Sequence, residues 1–266
     1  MAQLLADVRE MLVEQVRYRS LLRQLARRDL LVRYKQTAIG LAWAVFMPLV
    51  NTVVFSIVFM RLAPIATPVP YPVFAYCGLF AWNFFAASLK ASVSSLTGNA
   101  GLVTKVYFPR EIFPFSVVLV SLVDFAVASV VLGGLMAYFR VGVSASVFLL
   151  PAVLVVHVAF TAGVALLLAM GNLFYRDVRY IFDVVITVWM FVSSVLYPVD
   201  LLEGWTGRLM LLNPITPIID GYRRTILYGQ SPFTPAFAFA SIVAFTVLAV
   251  AWVSFHRAEF EFAESI

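Results

Sequence analysis

The chain has 266 residues, of which 62% are hydrophobic and 12% are charged, with a formal net charge of +5. A soluble domain averages about 25% charged residues and cannot hide so much apolar surface at this size. The composition therefore excludes a soluble enzyme, a disordered protein and a secreted disulfide scaffold, and it predicts an integral membrane protein.

The spacing of charged and apolar residues over 4–33 predicts an amphipathic helix. Arg19, Arg23 and Arg27 recur every four residues, whereas Leu21 and Leu25 point roughly the opposite way. Eight of the 19 Lys and Arg residues lie in the first 35 positions, which indicates a membrane surface and argues against a nucleic-acid partner. An interfacial helix is favoured because it runs straight into the first span. A solvated basic helix is the alternative.

Six apolar runs are long enough, at about 17–25 residues, to cross the hydrocarbon of a bilayer. They lie near 37–60, 73–96, 113–138, 146–170, 180–197 and 234–255. Thirteen basic residues lie on the side of the N-terminus and five on the other, so both termini are predicted to be cytoplasmic. The expected fold is all-α and forms one membrane domain over 1–266. It comprises an interface helix in 1–35, six helices in 36–257 and a cytoplasmic tail in 258–266.

Aromatic residues, 15% of the chain, repeat at helical spacing in the first and fifth predicted spans. The candidate channel-lining residues are Trp43, Phe46, Phe55, Phe59, Phe182 and Trp189. Neighbours three, four or seven positions apart share one helix face. Aromatic rings stack on the apolar faces of sugars, so such a face suits a glycan. Packing against lipid and interfacial belts are the alternative explanation.

Two short loops on the predicted cytoplasmic side are candidate contacts for a partner. Residues 98–101 end the second span, a brief helix is expected over 102–108, and Arg110 and Glu111 precede the third span. The second loop covers 172–177. A short rigid helix with exposed aromatic side chains suits docking, although an ordinary interfacial connector fits equally well.

Two polar residues, Asp124 and His157, fall about 16 Å deep in the third and fourth predicted spans. Polar residues at such depth are costly and are functional candidates by default. A hydrogen bond between them is possible, as a structural pair or as a proton relay. The structural pair is favoured because two residues make a poor relay.

The chain has no nucleotide-binding signature of its own. Its three lysines, Lys35, Lys90 and Lys105, follow Tyr, Leu and Thr, whereas a phosphate-binding loop requires Gly-Lys-Ser/Thr. If ATP drives this protein, a partner must bind it. The sequence also lacks paired cysteines and histidines at ligand spacing, so no metal site is expected.

The segment 198–233 is the longest predicted extracytoplasmic piece. Its apolar stretch 209–219 is broken by prolines and rises only about 16 Å as a helix, which favours a re-entrant excursion over a span. The candidate gate residues are Asp200, Arg208, Asn213, Pro214, Pro217, Asp220, Arg223 and Arg224. A gate or a cradle for an anionic headgroup is favoured over an ordinary loop anchored by Trp205.

Together these motifs resemble ABC-2 type exporter permeases, and more narrowly those that export lipid-linked O-antigen, capsule-like polysaccharide or teichoic acid. The matching residues are 28–37 with Gly40 and Trp43, Tyr71-Pro72 with Gly78 and Trp82, 99–110, 122–124, 175–178, 196–198 and 213–217. No single motif is diagnostic, but the set is collinear over about residues 20–257.

The resemblance implies a homodimer in the bacterial cytoplasmic (inner) membrane, with two cytoplasmic ATP-binding subunits that carry ATP and Mg²⁺. By analogy, spans one and five line the channel and 198–230 gates its outer side. The residues implied in coupling to the ATPase are Asn99, Leu102, Lys105, Tyr107, Phe108, Arg110, Glu111, Tyr175, Arg176 and Asp177. Arg208, Arg223 and Arg224 would meet the phosphates of the lipid carrier.

The sequence thus predicts the permease subunit of an ATP-driven exporter of lipid-linked polysaccharide, without catalytic or metal-binding residues. One rival is an ABC-2 exporter of drugs or small lipids. A second is a membrane-embedded glycosyl or lipid transferase, for which only the charges of 198–224 are candidates, and these lack an evident base. A passive channel, which would function without an ATPase, is the third.

Overall fold

A computed structural model of the chain describes residues 11, 13–35, 42–62, 64–105, 108–199 and 204–262. Every regular element within these ranges is helical. The α-helices are α1 (Arg19–Lys35), α2 (Trp43–Ile57), α3 (Tyr71–Val93), α4 (Ala100–Lys105), α5 (Ile112–Tyr138), α6 (Leu150–Phe174), α7 (Val178–Phe191), α8 (Gly204–Leu212), α9 (Ile215–Ile226) and α10 (Pro235–Ala258). A π-helical turn, Val58–Leu62, continues α2, and 3₁₀ turns cover Thr97–Asn99, Ala145–Leu149 and Glu259–Glu261.

Four of these helices are long and apolar enough to cross a membrane: α3, α5, α6 with the 3₁₀ turn before it, and α10. They coincide with the second, third, fourth and sixth predicted spans. The apolar stretch Val45–Arg61, in the first predicted span, is shorter. The prediction of an all-α integral membrane protein is confirmed, whereas the count of six spans stays a prediction.

The fifth predicted span, 180–197, is helical over a shorter length than expected. Helix α7 ends at Phe191, and the chain then turns at Ser194, which has a φ of +42°. Fourteen helical residues rise about 21 Å, less than the hydrocarbon thickness of about 30 Å. The period of the apolar residues predicted the helix but did not indicate this turn.

Helix α3 is the centre of the bundle and is buried along most of its length. It packs against α2, α5, α6, α7 and α9. Helix α10 packs along α6, where the two backbones approach closely at Gly163. A Cβ atom at Gly163 would lie 2.8 Å from the backbone of Leu248, so only glycine permits this approach. The bundle is therefore organised around α3 and the α6–α10 pair.

A separate hydrophobic cluster closes one end of the bundle, which we call the basal end. This basal cluster comprises Leu25, Leu96, Val103, Phe108, Ile112, Phe113, Leu166, Ala169, Leu173, Ala251, Phe255 and Phe262. It joins α1, α4, the start of α5 and the ends of α6 and α10. Both predicted partner-binding loops contribute residues to this cluster. Helix α9 contacts the 3₁₀ turn Ala145–Leu149 at the opposite, distal end.

The predicted amphipathic helix is confirmed over Arg19–Lys35, and its N-terminal residues 4–10 lie outside the described part of the chain. Arg19, Arg23 and Arg27 are exposed, as expected. Leu25 and Ala26, however, pack against the bundle, although the interfacial interpretation placed the apolar face in lipid. Protein contacts therefore cover part of the face that was assigned to the membrane.

Candidate functional site

Some predicted coupling residues form an exposed surface at the basal end. Leu102 of α4 is 37% exposed and Tyr175, after α6, is 73% exposed. Arg176 and Asp177 are exposed beside Tyr175. Because the basal cluster supports both segments, these side chains can meet a partner that approaches this end. Tyr107 lies outside the described residues, and so does the side chain of Lys105.

Asn99 has a different place, at the junction of the first loop with α1. Its side-chain carbonyl accepts a hydrogen bond from Arg28 at 2.9 Å, and its amide donates to the backbone carbonyl of Ser95 at 2.8 Å. Asn99 therefore connects the basic helix to the end of the α3 segment. A movement of α4 would reach α1 through this contact.

The other predicted coupling residues are buried, which corrects their expected role. Phe108 belongs to the basal cluster, and Arg110 and Glu111 are 8% and 1% exposed. Arg110 donates to Glu259 at 2.9 Å, and Glu111 lies 3.1 Å from Nδ1 of His256. These side chains fasten the start of α5 to the end of α10. They are not exposed in this conformation.

The carboxylates of Glu111 and Glu259 and the imidazole of His256 offer ligand atoms within 4.8 Å of one another. Such a set could hold a metal ion, but the guanidinium of Arg110 already supplies a positive charge to Glu259. We therefore assign the group as an ion-pair cluster. Burial, together with the nearby charge of Glu111, raises the pKa of Glu259 to about 7, although Arg110 opposes the shift.

The six candidate channel residues do not share one surface. Trp43 and Phe46 are exposed on α2, with ring centroids 5.5 Å apart in an edge-to-face arrangement. Phe55 and Phe59 pack against the core instead, and Phe182 of α7 is 5% exposed. Only the first pair presents its rings to the surroundings in this conformation.

The sixth channel candidate, Trp189, joins α7 to the predicted gate. Its indole N–H donates to the side-chain carbonyl of Asn213 at 3.0 Å, and the amide of Asn213 donates to Ser193 at 2.9 Å. Asn213 and Pro214 form the break between α8 and α9, as the sequence predicted. The structure thus brings together two residues that sequence reasoning had assigned to different sites.

The remaining gate candidates divide between exposed and buried positions. Arg208 is exposed on α8, whereas Pro217 is buried in the first turn of α9. Asp220 and Arg224 form an i,i+4 ion pair at 2.7 Å. Asp200 lies outside the described residues. Helix α9 packs against α3 and α6, so half of the predicted gate segment is part of the core.

Arg223 is the most deeply buried charged residue of this segment, at 1% exposure. Its two terminal nitrogens donate to the carbonyls of Ser194 and Val195 at 2.8 and 2.6 Å, and its guanidinium lies 3.8 Å from the ring centroid of Phe74. These contacts hold the turn after α7. The expected contact of Arg223 with a carrier phosphate does not fit this position.

Gly78 of α3 makes room for that arrangement. A Cβ atom at this position would lie 2.1 Å from the carbonyl oxygen of Val195 and 2.6 Å from a terminal nitrogen of Arg223. The neighbouring atoms belong to backbone and to a guanidinium whose two terminal nitrogens are bound to backbone carbonyls, so they cannot move away cheaply. The glycine is required for the close approach.

The predicted hydrogen bond between Asp124 and His157 is wrong. Asp124 accepts hydrogen bonds from Arg33, at 2.5 Å, and from the hydroxyl of Tyr34. His157 is buried in α6 with its Nδ1 3.2 Å from the hydroxyl of Tyr222. The partners of both residues lie on other segments, so a direct proton relay between them does not exist in this conformation.

Residues 20–227 match the family described as ABC-2 type transporter. The chain belongs to this family. The predicted family and class of protein, a transport permease rather than an enzyme, are confirmed. In this ABC-2 transporter, the family match covers every described element from α1 to α9.

Relatives extend the likeness of this ABC-2 transporter to almost its full length. An O-antigen export system permease protein RfbA from Myxococcus xanthus is 30% identical over 259 residues, which cover 95% of this chain and 98% of the relative. RfbA proteins from Klebsiella pneumoniae are 30% identical over 241 residues and 26% identical over 238 residues. The former alignment covers 89% of this chain and 91% of that relative.

Sequence reasoning on this ABC-2 transporter missed the partners of its buried charges. His256 and Glu259 lie 145 or more positions from Glu111 and Arg110, and Arg33 lies 91 positions from Asp124. No local spacing connects them. The only usable signal was the rarity of acidic residues in a chain this apolar, since a buried carboxylate requires a partner.

Proposed function

We propose that this chain is the permease subunit of an ATP-driven exporter that moves lipid-linked polysaccharide, an O-antigen or a related glycan, across the bacterial cytoplasmic membrane. The observation that carries the proposal is the similarity to RfbA of Myxococcus xanthus, at 30% identity over 95% of this chain. Because 98% of that relative is covered as well, the two chains align over most of their lengths.

The active assembly contains a second copy of this chain and two cytoplasmic ATP-binding subunits, which bind ATP and Mg²⁺. The basal end is the docking surface for those subunits. Leu102, Tyr175, Arg176 and Asp177 support this assignment because they are exposed on two segments that rest on one hydrophobic cluster. A push on either segment is then shared by the helices around that cluster.

In the membrane, α2 with its π-helical turn serves as the first of six spans, and α7 with the turn that follows it serves as the fifth. Both termini are cytoplasmic. Residues 43–62 are continuously helical, which corresponds to a length of about 30 Å. The helices α8 and α9, broken at Asn213-Pro214, form the re-entrant extracytoplasmic segment. The basic helix α1 then lies on the cytoplasmic side, as the distribution of arginines favours.

The path of the polysaccharide runs along the outer faces of α2 and α7. Both helices flank α3 and expose apolar side chains. Helix α7 also exposes polar residues, Asp183 and Thr187. Polar side chains on an exposed membrane face indicate a water-filled path or a protein contact more than they indicate lipid. In the dimer these faces surround the channel.

Transport is driven mechanically. Closure of the ATP-binding subunits displaces α4 and the 175–177 loop, and the basal cluster passes that displacement to α5 and α10. The contacts Arg110–Glu259 and Glu111–His256 make the start of α5 and the end of α10 move together. Separation of the α2 and α7 faces in the two copies then opens the channel. No residue of this chain takes part in covalent chemistry.

Two measurements test the proposal. The first solubilises a tagged chain gently from its native membrane and identifies the proteins that purify with it. We expect a stoichiometric cytoplasmic subunit with a phosphate-binding Gly-Lys-Ser/Thr loop. A stable, folded preparation without such a subunit would contradict the ATP-driven assembly.

The second measurement deletes the gene and follows surface polysaccharide and its lipid-linked precursor. We expect loss of the surface glycan and accumulation of the precursor in the cytoplasmic leaflet, with both reversed by the wild-type chain. Surface glycan that is unchanged in the deletion strain would remove polysaccharide as the substrate. An exporter of drugs or small lipids would then be the better interpretation.

A further inference from the structure

A cleft of about 300 Å³, lined mainly by apolar side chains, opens between α2, α3 and α5. The polar side chains that line it are Asn51, Asn83, Lys90, Ser121 and Asp124. Lys90 lies in the last turn of α3, close to the basal end. The cleft therefore occupies the basal half of the membrane bundle, away from the docking surface and from the predicted gate.

Much of this polar lining has no partner within the protein. The hydroxyl of Ser121 is buried and neither donates nor accepts a hydrogen bond within the described part of the chain. Among the residues that the structure describes, Asn51, Asn83 and Lys90 also form no hydrogen bond or ion pair. Unpaired polar groups at membrane depth are costly, so the cleft requires a polar occupant. Its volume corresponds to roughly ten water molecules, which is enough space for a headgroup.

The charge of the cleft favours an anionic occupant. Arg33 and the hydroxyl of Tyr34 already bind the carboxylate of Asp124. Burial and the neighbouring Asp124 raise the pKa of Tyr34 to about 12, so this hydroxyl keeps its proton at neutral pH. Arg33 thereby neutralises the negative charge of Asp124, whereas the positive charge of the exposed Lys90 ammonium group has no opposite charge bound to it among the described side chains. A phosphate would supply the missing negative charge.

The remaining walls suit a sugar ring next to that phosphate. Trp43 is 38% exposed at the start of α2 and lines the cleft. The C–H face of a pyranose packs on the negative face of an aromatic ring. The side-chain amides of Asn51 and Asn83 each offer both donors and an acceptor, which matches the hydroxyl groups of a sugar.

We propose that this cleft binds the head of a membrane-anchored glycolipid, with its phosphate at Lys90 and its first sugar between Trp43 and the two asparagines. The proposal rests on the proposed function, because it names the part of a lipid-linked polysaccharide that this chain would hold. Recognition of the phosphate–sugar junction is independent of the length of the polymer. Every chain of a polydisperse glycan carries that junction once.

Binding is measured with the purified full-length chain in detergent, by titration with two probes. One is a short-chain polyprenyl diphosphate that carries a single N-acetylhexosamine, and the other is phosphatidylglycerol. We expect the sugar-linked probe to bind at least about tenfold more tightly. Lys90→Gln should weaken its binding by about tenfold or more, since a charge-assisted hydrogen bond is lost. Trp43→Ala, a second variant on an exposed residue, should weaken it as well.

Arg27→Gln is the matched control, because it removes one exposed positive charge at the basal end outside the cleft. It should bind the sugar-linked probe like the wild type, and thermal melting should show that all variants are folded. Unchanged binding in Lys90→Gln would overturn the proposal. So would equal affinity of the wild type for both probes, or no binding of the sugar-linked probe.

The gene deletion separates this proposal from the proposed function. If export depends on the chain but Lys90→Gln binds the probe normally, the cleft assignment fails and the exporter stands. If surface glycan is unaffected by the deletion but Lys90→Gln loses probe binding, the exporter fails and the cleft assignment stands.

Discussion

The two ends of the bundle bury charged residues in different ways. At the distal end, Arg223 is bound by two backbone carbonyls, of Ser194 and Val195, and by the ring of Phe74. At the basal end, buried charges bind one another, as in the pairs Arg110–Glu259 and Glu111–His256. Each arrangement gives the buried charges hydrogen-bond partners, but the two differ in what they permit.

Backbone acceptors fix the distal arrangement, since the carbonyls of Ser194 and Val195 belong to the chain itself and both accept from Arg223. Side-chain partners at the basal end can exchange, because His256 lies 3.1 Å from Glu111 and 3.9 Å from Glu259. The distal end is thus suited to a rigid frame. The basal end is suited to a region that moves when a partner pushes on it.

The largest expected effect is at Arg223. Replacement by Met leaves two buried carbonyls without donors and removes the cation–π contact with Phe74, so we expect a loss of about 2–4 kcal/mol of stability. Thermal melting in detergent measures it. Arg224→Met, which removes the half-exposed pair with Asp220 and an exposed hydrogen bond to Gln230, is the control and should cost less than about 1 kcal/mol. Equal melting temperatures for the two variants would mean that the distal frame does not depend on Arg223.

At the basal end, Glu111→Ala should cost about 1–3 kcal/mol, because His256 loses its nearest acceptor in a buried site. Glu111→Gln keeps the shape and one acceptor oxygen, so it should retain most of that stability. Both are compared by thermal melting. If Glu111→Ala melts like the wild type, the pair does not fasten α5 to α10.

The basal cluster should also respond to pH through Glu259. Burial raises the pKa of Glu259 from its ordinary value of 4.5 to about 7, with Glu111 adding to the shift and Arg110 and His256 opposing it. The folded protein therefore binds more protons than the unfolded chain between these values. This contribution to stability is fully present below about pH 4.5 and is lost as the pH rises through about 7.

Glu259→Gln imitates the protonated carboxyl and removes this dependence. Relative to that variant, we expect the wild type to lose about 1–2 kcal/mol of stability between pH 5 and pH 8. The melting temperatures of both proteins over that range provide the test. Parallel curves would show that Glu259 titrates in the folded protein as it does in the unfolded chain.

The long helices were predictable because they depend only on apolar length. Four predicted spans agree with helices of the structure within a few residues. The break at Asn213-Pro214 was predictable from the prolines at positions 214 and 217. The early end of α7 was not predictable. It depends on a turn at Ser194 that Arg223, 29 positions further on, holds in place. A pattern within one segment contains no information about such a contact.

The candidate site was predictable to a similar extent. The exposure of Tyr175 and Arg176 follows from a polar break between apolar runs, which the sequence shows directly. Glu111 stands in an equally polar segment, yet it is buried, because the end of α10 folds onto it. Residue type and spacing locate a loop. Only the packing of distant helices decides which of its side chains remain accessible.

The smallest expected effect on stability, and the most direct test of the basal end as a docking surface, is Arg176→Glu. Arg176 is exposed and should leave the melting temperature unchanged within about 0.5 kcal/mol. Reversal of its charge should nevertheless lower recovery of the ATP-binding subunit by about tenfold, since mismatched charges at an interface weaken association. Arg140→Glu makes the same change on an exposed residue at the distal end and should leave recovery unaffected. If both variants recover the subunit like the wild type, the exposed 175–177 loop is not a contact. The partner must then act through α4 alone, where Leu102 is an exposed apolar side chain.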